Sequence, residues 1–402
     1  MKILIVTGMF PPIRTGTSFY TKNLADSLLK LGHKVTLVTL ENSNQQKQSS
    51  SYKIHRLKAF HFPLKNYFKH LRVCSLYLTN FSKMDEIVKE DKPDIILLVN
   101  HYLDIAFPTI YAARKNKIPL VVSVGTQLQS LNFFRSKVLN FFDKLICGYI
   151  FSKTQKIISW DKEIERYLKD IHGEKILEKN TIVNFGVNGD LGTYLNHKHD
   201  YRNVQQIVGV GAIIEQRNFH FIIRIFHELL KSYPKLKLKI IGHIYYQKTV
   251  FLIKSLKLEK KVILTGELPH EKVLKELQKS VCGWGTLTGE YVGLGTSNLE
   301  AMMMGVPVIS NIPSDLLGQA ELIDMENYIF TDSCSTGQIL DKMKLILSSH
   351  KLRRRIGQNG KKLVVKYMNW PKVGKDMIKV FNQVIKGYRK DPKSNSKRKE
   401  VK

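Results

Sequence analysis

Short, almost uninterrupted apolar runs alternate with helix-like segments along the first 190 residues, and this alternation restricts the fold more than any other feature. The runs have the composition of parallel strands buried on both faces; they cover residues 2–7, 34–40, 94–99, 119–124, 156–159 and 181–184. Between the first two, residues 17–31 place apolar side chains at helical spacing and end before Gly32. Successive strand–helix–strand units connect by right-handed crossovers, which predicts a doubly wound α/β domain.

A second alternation follows a polar stretch. Residues 189–203 break the pattern and are the predicted linker, after which strand-like runs return at residues 206–210, 236–241, 262–265, 281–285, 306–310 and 328–331. We therefore predict two doubly wound, Rossmann-like domains, residues 1–190 and 203–370, that face each other across a cleft. The chain then has a predicted helix at 371–388 and a basic tail at 389–402 whose composition is typical of disorder.

The segment from Gly293 to Pro307 contains a glycine-flanked turn, a short helix closed by Gly305, and a carboxylate, Glu300, one turn inside that helix. The start of a helix presents unpaired backbone N–H groups and the positive end of the helix dipole, which suits a phosphate. A carboxylate at this place can accept hydrogen bonds from the vicinal hydroxyls of a sugar. The alternative from spacing alone is a capping box, in which Ser297 and Glu300 only satisfy backbone N–H groups.

The composition is that of a globular protein. Its 402 residues are enough for two full cores, and 43% of them are hydrophobic. No apolar run is long enough to span a membrane, and residues 1–7 resemble a first strand more than a signal peptide. Four cysteines lie far apart without a Cys-x-x-Cys pair, which favours a reducing cytoplasm over a disulfide framework or a zinc site.

The formal net charge of +30 favours a partner with a negative surface, either nucleic acid or an anionic membrane. No zinc-finger spacing or aromatic RNA-binding strand motif occurs, so we predict no nucleic-acid partner and prefer a membrane surface. Residues 60–78 and 131–153 have basic, amphipathic patterns. The patterns predict that their apolar stripes face the core, and contact with an anionic membrane interface is the alternative.

Several short motifs occur in the order in which one family of proteins carries them. They are Phe10-Pro-Pro with Gly16, Leu31-Gly-His-Lys-Val-Thr-Leu-Val-Thr39, Pro93-Asp94, Ile118-Pro-Leu-Val-Val-Ser123, Asn184-Phe-Gly-Val-Asn188, residues 210–218, residues 293–307 and Asn369-Trp370. Over nearly its whole length the chain resembles the retaining glycosyltransferases of GT-B fold that are related to sucrose synthase and bacterial mannosyltransferases, often called family 4.

The resemblance implies how the two domains divide the reaction. The C-terminal domain binds the sugar nucleotide, the N-terminal domain binds the acceptor, and the last helix packs back on the first domain. It also implies no divalent metal and no other cofactor, because positive side chains and a helix N-terminus stabilise the leaving diphosphate. The sequence agrees, since Asp-x-Asp is absent and His197-x-His199, the nearest pair of metal ligands, falls in the polar linker.

The donor-binding residues follow from their positions in the family motifs. Glu300 matches the carboxylate that binds the ribose hydroxyls, and Arg217 falls where the family has a lysine that neutralises the diphosphate. By the same resemblance, Gly295, Thr296 and Ser297 offer backbone N–H groups to the diphosphate.

The N-terminal domain adds one glycine to the implied donor site. Gly16 matches the second glycine of the family's Gly-Gly loop, which lets the backbone approach the donor phosphate. The first glycine of that loop is replaced by Thr15.

Three further positions depart from the family pattern. The first carboxylate of the family's Glu-x7-Glu pair falls on Val292, and Glu290, two residues earlier, is the candidate replacement. The arginine that binds the diphosphate in the family falls on Ala212. The histidine that ends the family's Val-Val-x-Val-His strand falls on Gly125, and His101 is the candidate replacement near the same sheet edge. Glu290 and His101 are therefore the candidate catalytic residues.

These inferences predict a metal-independent glycosyltransferase, of hexosyltransferase type, that moves a sugar from a nucleotide-sugar donor to a lipid-linked or cell-surface glycan acceptor with retention. We expect it in the cytoplasm, peripheral on the inner membrane face. The alternative is a catalytically degenerate GT-B protein that binds sugar nucleotide or scaffolds a glycan assembly complex, which the departures at Val292, Ala212 and Gly125 favour. A sugar-nucleotide 2-epimerase ranks below both, because its carboxylate and histidine set has no placement in this sequence.

Overall fold

The computed structural model describes residues 1–13, 15–41, 51–61, 72–101, 104–127, 133–187, 199–202, 205–285 and 294–390. Two compact units divide the chain: Met1–Gly186 together with the segment from Trp370, and Val187–Asn369. Each unit is built on a parallel sheet connected through helices. The fold class predicted from the alternating runs, α/β with two Rossmann-like domains, is confirmed.

The first unit holds a seven-stranded parallel sheet in the order β3-β2-β1-β6-β7-β8-β9. The strands of the unit are β1 Lys2–Thr7, β2 Lys34–Leu40, β3 Lys53–Leu57, β4 Phe60–His61, β5 Arg72–Val73, β6 Ile95–Val99, β7 Leu120–Val124, β8 Lys156–Ser159 and β9 Asn180–Ile182, of which β4 and β5 form a separate antiparallel pair. Its helices are α1 Gly16–Lys30, α2 Thr79–Asp91, α3 Ala106–Lys115, α4 Phe133–Phe142, α5 Gly148–Ser152, α6 Lys162–His172 and, from the end of the chain, α13 Trp370–Lys390.

Alternate residues of the central strands of this unit contribute to two different cores. In β1, Leu4 and Val6 join a cluster that includes side chains of α2, α3 and α5, whereas Ile3 and Ile5 join one that includes α1 and α13. A strand buried on both faces needs apolar side chains at every position, which is why its sequence is a continuous apolar run. The last helix belongs to this unit, and Ser27 Oγ donates a hydrogen bond to the Trp370 carbonyl oxygen at 2.7 Å.

The second unit holds a six-stranded parallel sheet in the order β12-β11-β10-β13-β14-β15. Its strands are β10 Gln206–Val210, β11 Lys237–Ile241, β12 Val262–Leu264, β13 Cys282–Trp284, β14 Val308–Ser310 and β15 Ile329–Phe330; its helices are α7 Phe219–Leu230, α8 Lys248–Ser255, α9 His270–Gln278, α10 Gly295–Met303, α11 Thr336–Ser348 and α12 His350–Tyr367. The strand order reverses between β10 and β13. In open sheets of this kind, ligands bind at the carboxyl ends of the strands where the order reverses.

The predicted strands all occur, and their ends differ from the predicted ones by at most two residues. β3 was not predicted, because it lies at the sheet edge and only Leu57 among its residues is fully buried, so no apolar run marks it. The last helix ends at Lys390, two residues inside the predicted tail. Most of the predicted linker and the rest of that tail lie outside the described residues.

The described part of the amphipathic segment after β7 does not turn its apolar stripe to the core, contrary to the pattern-based prediction. Leu131 and the side chain of Phe134, which belong to the predicted stripe, lie outside the described residues. α4 continues through a π-helical turn, Asp143–Cys147, into α5. Three residues of the predicted stripe, Val138, Phe141 and Leu145, are exposed, whereas Asp143 and Cys147 point inward and are buried. The helical pattern identified the apolar face of the segment, but it does not predict which face the rest of the unit buries.

Candidate functional site

Two of the predicted donor-binding side chains meet at the carboxyl end of β10, where the strand order of the second unit reverses. The carbonyl oxygen of Val210, the last residue of β10, accepts hydrogen bonds from Arg217 Nη1 at 3.3 Å and from Ser297 Oγ at 3.4 Å. Arg217 and Ser297 are 80 residues apart in sequence. The fold therefore places a guanidinium and the first turn of α10 around one point at the end of the central strand.

A glycine makes room for that guanidinium. Gly211 follows β10 with φ +147°, and a Cβ at this position would lie 1.8 Å from Arg217 Nη1. Gly242 lies against the same turn, since a Cβ there would come within 2.1 Å of the Gly211 carbonyl oxygen. Ala212, where the family has an arginine, brings no charge to this turn, so Arg217 is the cation that the fold supplies beside Val210.

Helix α10 begins at Gly295 with φ +58°, a backbone conformation that favours glycine. No acidic residue occupies its first turn, so its N–H groups and dipole favour an anion there. Thr296 is exposed at this end. The capping-box alternative is wrong: Ser297 lies inside the helix and bonds to Val210, and α10 begins without a side-chain cap.

Glu300 is held by a histidine that sequence reasoning missed. Oε1 of Glu300 lies 2.8 Å from Nε2 of His270, the first residue of α9. The Glu300 side chain is 13% exposed and that of His270 is 53% exposed, so the pair reaches solvent from the histidine side. The hydrogen bond to Glu300 raises the pKa of His270, against the opposing effect of its partial burial. No local signal connects two residues that are 30 positions apart.

A polar group at the end of β13 was also missed. A Cβ on Gly285 would lie 2.7 Å from both Asn298 Nδ2 and Ser310 Oγ, and these two polar side chains are buried at the strand ends. Because these two side chains pack so closely against the end of β13, only a glycine fits at position 285. Glu290 and Val292, on the segment between β13 and α10, lie outside the described residues.

The structure corrects the catalytic assignment of His101. This residue follows β6 but has no exposed surface, so its ring does not reach a substrate in this conformation. Its Nε2 lies 3.2 Å from the hydroxyl of Tyr167, and its ring stacks on Phe151. Burial lowers the pKa of His101 to about 4, which leaves the imidazole neutral at physiological pH.

His101 belongs to a buried polar cluster built on the π-helical turn. Tyr167 donates a hydrogen bond to Asp143, and His172 Nε2 lies 3.3 Å from the same carboxylate. Burial acts to raise the pKa of Asp143, but the bonds with His172 and Tyr167 outweigh it and lower that pKa. Ligand atoms of His101, Asp143 and Cys147 lie within 4.8 Å of one another and could hold a metal ion. The absence of a metal therefore stays a prediction.

Trp160 explains the glycine at position 125. A Cβ on Gly125 would lie 2.1 Å from the indole ring of Trp160, which fills the space of a residue-125 side chain. The ring is fixed by a hydrogen bond from its Nε1 to Ser123 Oγ at 2.8 Å and by stacking on Tyr20 at 4.1 Å. A histidine at position 125 is incompatible with this packing, so the change from the family pattern is coupled to Trp160.

Gly16, the other predicted donor-binding residue, is the first residue of α1, and Thr15 caps that helix by accepting a hydrogen bond from the Ser18 backbone N–H. Gly16 is exposed, and no described atom lies within 4 Å of a Cβ added there. The open surface leaves its backbone free to be approached by a ligand.

Two doubly wound units, the second with a guanidinium and a helix N-terminus at its strand-order reversal, are features of transferases of GT-B fold. Comparison with family models is consistent with this class: residues 14–191 match the model of glycosyltransferase family 4, and residues 193–363 match that of glycosyl transferases group 1. The chain belongs to the group 1 glycosyltransferases of GT-B fold.

Individual relatives are distant in sequence, but several match nearly the whole chain. An uncharacterized glycosyltransferase of Methanocaldococcus jannaschii is 23% identical over 396 residues, which is 96% of this chain and 99% of the relative. Among solved structures, a sucrose-phosphate synthase from Thermosynechococcus elongatus superposes with a TM-score of 0.74 at 15% identity, covering 96% of this chain and 99% of the other. HepE of Anabaena in complex with UDP and glucose has a TM-score of 0.68 at 12% identity, covering 95% and 99%.

Proposed function

We propose that this glycosyltransferase moves a hexose from a nucleotide-sugar donor to a lipid-linked or cell-surface glycan acceptor, with retention and without a metal ion. The observation that carries the proposal is the meeting of Arg217 and Ser297 at the Val210 carbonyl, beside the start of α10. A cation and a helix N-terminus at one point match the two negative phosphates of a nucleoside diphosphate. Two structures of similar fold, HepE of Anabaena in complex with UDP and with UDP-glucose, support a nucleotide donor.

In the proposed mechanism the second unit holds the donor. Backbone N–H groups at Gly295, Thr296 and Ser297 bind the diphosphate, and Arg217 neutralises the charge that develops as it leaves. Glu300 accepts hydrogen bonds from the ribose hydroxyls, with His270 holding one carboxylate oxygen in place. A preorganised donor set of this kind stabilises the transition state more than the ground state, because the leaving diphosphate gains charge in the transition state.

The first unit is proposed to bind the acceptor, with Gly16 near the donor phosphate. Glu290 remains the proposed catalytic carboxylate, in place of the family residue that falls on Val292. The proposed location is the cytoplasmic face of a membrane, where a lipid-linked acceptor and a cytoplasmic nucleotide sugar meet.

A second candidate function is that of a catalytically degenerate protein that binds sugar nucleotide or scaffolds a glycan assembly complex. It is favoured by Ala212, which brings no charge, and by Trp160, which occupies the place of the family histidine at Gly125. Such a protein would bind a nucleoside diphosphate but release none from a nucleotide sugar.

One experiment separates the two candidates. The purified chain is incubated with a panel of nucleotide sugars and a cell-envelope lipid extract, and release of nucleoside diphosphate is measured together with label transfer to the extract. Transfer with any donor excludes the degenerate protein. Thermal stabilisation by UDP or GDP without turnover supports the degenerate protein. A chain that shows no binding and no turnover would contradict both candidates.

A further inference from the structure

The outer side of the segment that joins β7 to β8 exposes a row of large apolar side chains. Phe141 is 61% exposed and Leu145 is 55% exposed. The row, called the apolar face below, consists of Val138, Phe141, Phe142, Leu145, Ile146 and Tyr149. Single exposed apolar residues are ordinary on protein surfaces, but a contiguous group on one helical segment marks an interaction site.

The local backbone forces this face outward. The π-helical turn Asp143–Cys147 connects α4 to α5, and both of its end residues are buried in the unit. Asp143 contacts Tyr167 and His172 there, so the turn cannot rotate without breaking buried polar contacts. With Asp143 and Cys147 fixed inward, Phe142, Leu145 and Ile146 stand on the opposite side.

The exposed charges of the segment that carries the apolar face are positive. Asp143 is the only acidic residue from 133 to 153, and it is buried. Lys144 is exposed within the face, and Lys153 Nζ lies over the Tyr149 ring at 5.3 Å. Tyr149 stacks on Phe107 of α3, one turn before the exposed Tyr111. The apolar face thus continues onto an aromatic surface of α3.

We propose that the apolar face docks into the interfacial region of an anionic membrane. Apolar and aromatic side chains on one side of a helix, bordered by lysines, have the composition of helices that lie in the plane of the headgroups. Anionic headgroups attract the lysines, whereas a second copy of a chain with net charge +30 would bring like charge to the same place. No helix in the described ranges is long and apolar enough to cross a bilayer.

Docking would bring the first unit, which is proposed to bind the acceptor, close to a lipid-linked acceptor in the membrane. The acceptor role rests on the proposed function, whereas the docking itself does not. Membrane binding can therefore be tested without turnover. Vesicles of phosphatidylcholine alone are compared with vesicles that also contain phosphatidylglycerol, by sedimentation of the full chain at low and high salt.

The test variant is Phe141→Ser with Leu145→Ser, and the matched control is Phe251→Ser, an exposed phenylalanine of the second unit. We expect the wild type and the control to bind the anionic vesicles with equal affinity. The double variant should bind about tenfold or more weakly, and added salt should weaken all of them. A Lys144→Glu variant, which keeps the apolar side chains, should also bind anionic vesicles more weakly.

Three outcomes overturn the proposal: no wild-type binding to anionic vesicles at low salt, equal loss for the double variant and the control, or a wild-type oligomer that the double variant dissolves. The last outcome would assign the face to a second copy. Circular dichroism and thermal melts exclude unfolding of the variants. A Glu300→Gln variant should keep vesicle binding while losing nucleotide affinity, so failure of the donor site and failure of membrane docking are distinguished.

Discussion

Nε2 of His270 lies 2.8 Å from Oε1 of Glu300, so the first residue of α9 holds the carboxylate that stands one turn inside α10. The contact fixes the direction of the Glu300 side chain, which can otherwise rotate about three bonds. The other carboxylate oxygen, Oε2, is the proposed acceptor for the ribose hydroxyls. The pair therefore accounts for a carboxylate that is mostly buried inside a short helix without serving as a cap.

Glu300→Ala should weaken binding of UDP or GDP about tenfold or more, roughly 1.4 kcal/mol or above, because the ribose hydroxyls lose their acceptor. Isothermal titration calorimetry on the free chain measures the change. The matched control is Glu276→Ala, since Glu276 is also a half-buried carboxylate of the second unit that pairs with a cation, Lys239, at 2.7 Å. Equal affinity in Glu300→Ala and wild type would refute the ribose role.

Arg217→Ala should weaken binding of a nucleoside diphosphate about tenfold while leaving the affinity for the nucleoside unchanged, because only the diphosphate meets the guanidinium. The comparison of UDP with uridine by calorimetry isolates the phosphate contribution. Arg224→Ala, an exposed arginine on α7, is the control and should leave both affinities unchanged. Equal losses for UDP and uridine would mean that Arg217 supports the fold and does not bind phosphate.

The pair of His270 and Glu300 predicts a pH-dependent stability. The hydrogen bond to Glu300 raises the pKa of His270 in the folded protein above its usual value near 6.5. The stabilisation is therefore complete below pH 6.5 and is lost as the pH rises through the raised pKa. Because His270 is half-exposed, the contribution is at most about 1 kcal/mol.

Urea unfolding of the wild type and of His270→Gln, at about pH 6 and about pH 9, measures this contribution. The stability advantage of the wild type should be larger at the lower pH. An advantage that is constant with pH, or that grows as pH rises, would contradict a raised pKa. His227→Gln, at a histidine on α7 whose side chain is 40% exposed, controls for general effects of removing an imidazole.

Gly125→Ala should destabilise the chain by about 1–3 kcal/mol, because its Cβ would enter the indole ring of Trp160. In a Trp160→Ala background the same substitution should cost much less, since the space is then empty. Gly16→Ala, at a glycine with open surroundings, is the control and should be close to neutral. If Gly125→Ala destabilised the wild type and the Trp160→Ala variant equally, Trp160 would not be the reason for the glycine at position 125.

Much of the site could be predicted from sequence, because its residues sit in motifs whose backbone conformation is local. Gly295 and Arg217 were assigned through their positions in the family motifs, and they lie at the start of α10 and at the end of the short turn after β10. The hydrogen bonds of Arg217 and Ser297 to one carbonyl could not be predicted, because they depend on the order of strands β10 and β13 in the sheet.

The amino-acid sequence by itself determined the two parallel sheets, since strands buried on both faces must be continuous apolar runs. It also determined which face of residues 133–152 is apolar. Only the tertiary structure decided that the described part of this face, from Val138 to Tyr149, is exposed, that His101 is enclosed, and that His270 holds Glu300. Periodicity records which residues share a surface, but burial depends on which other elements pack against that surface, and those elements lie far away in the chain.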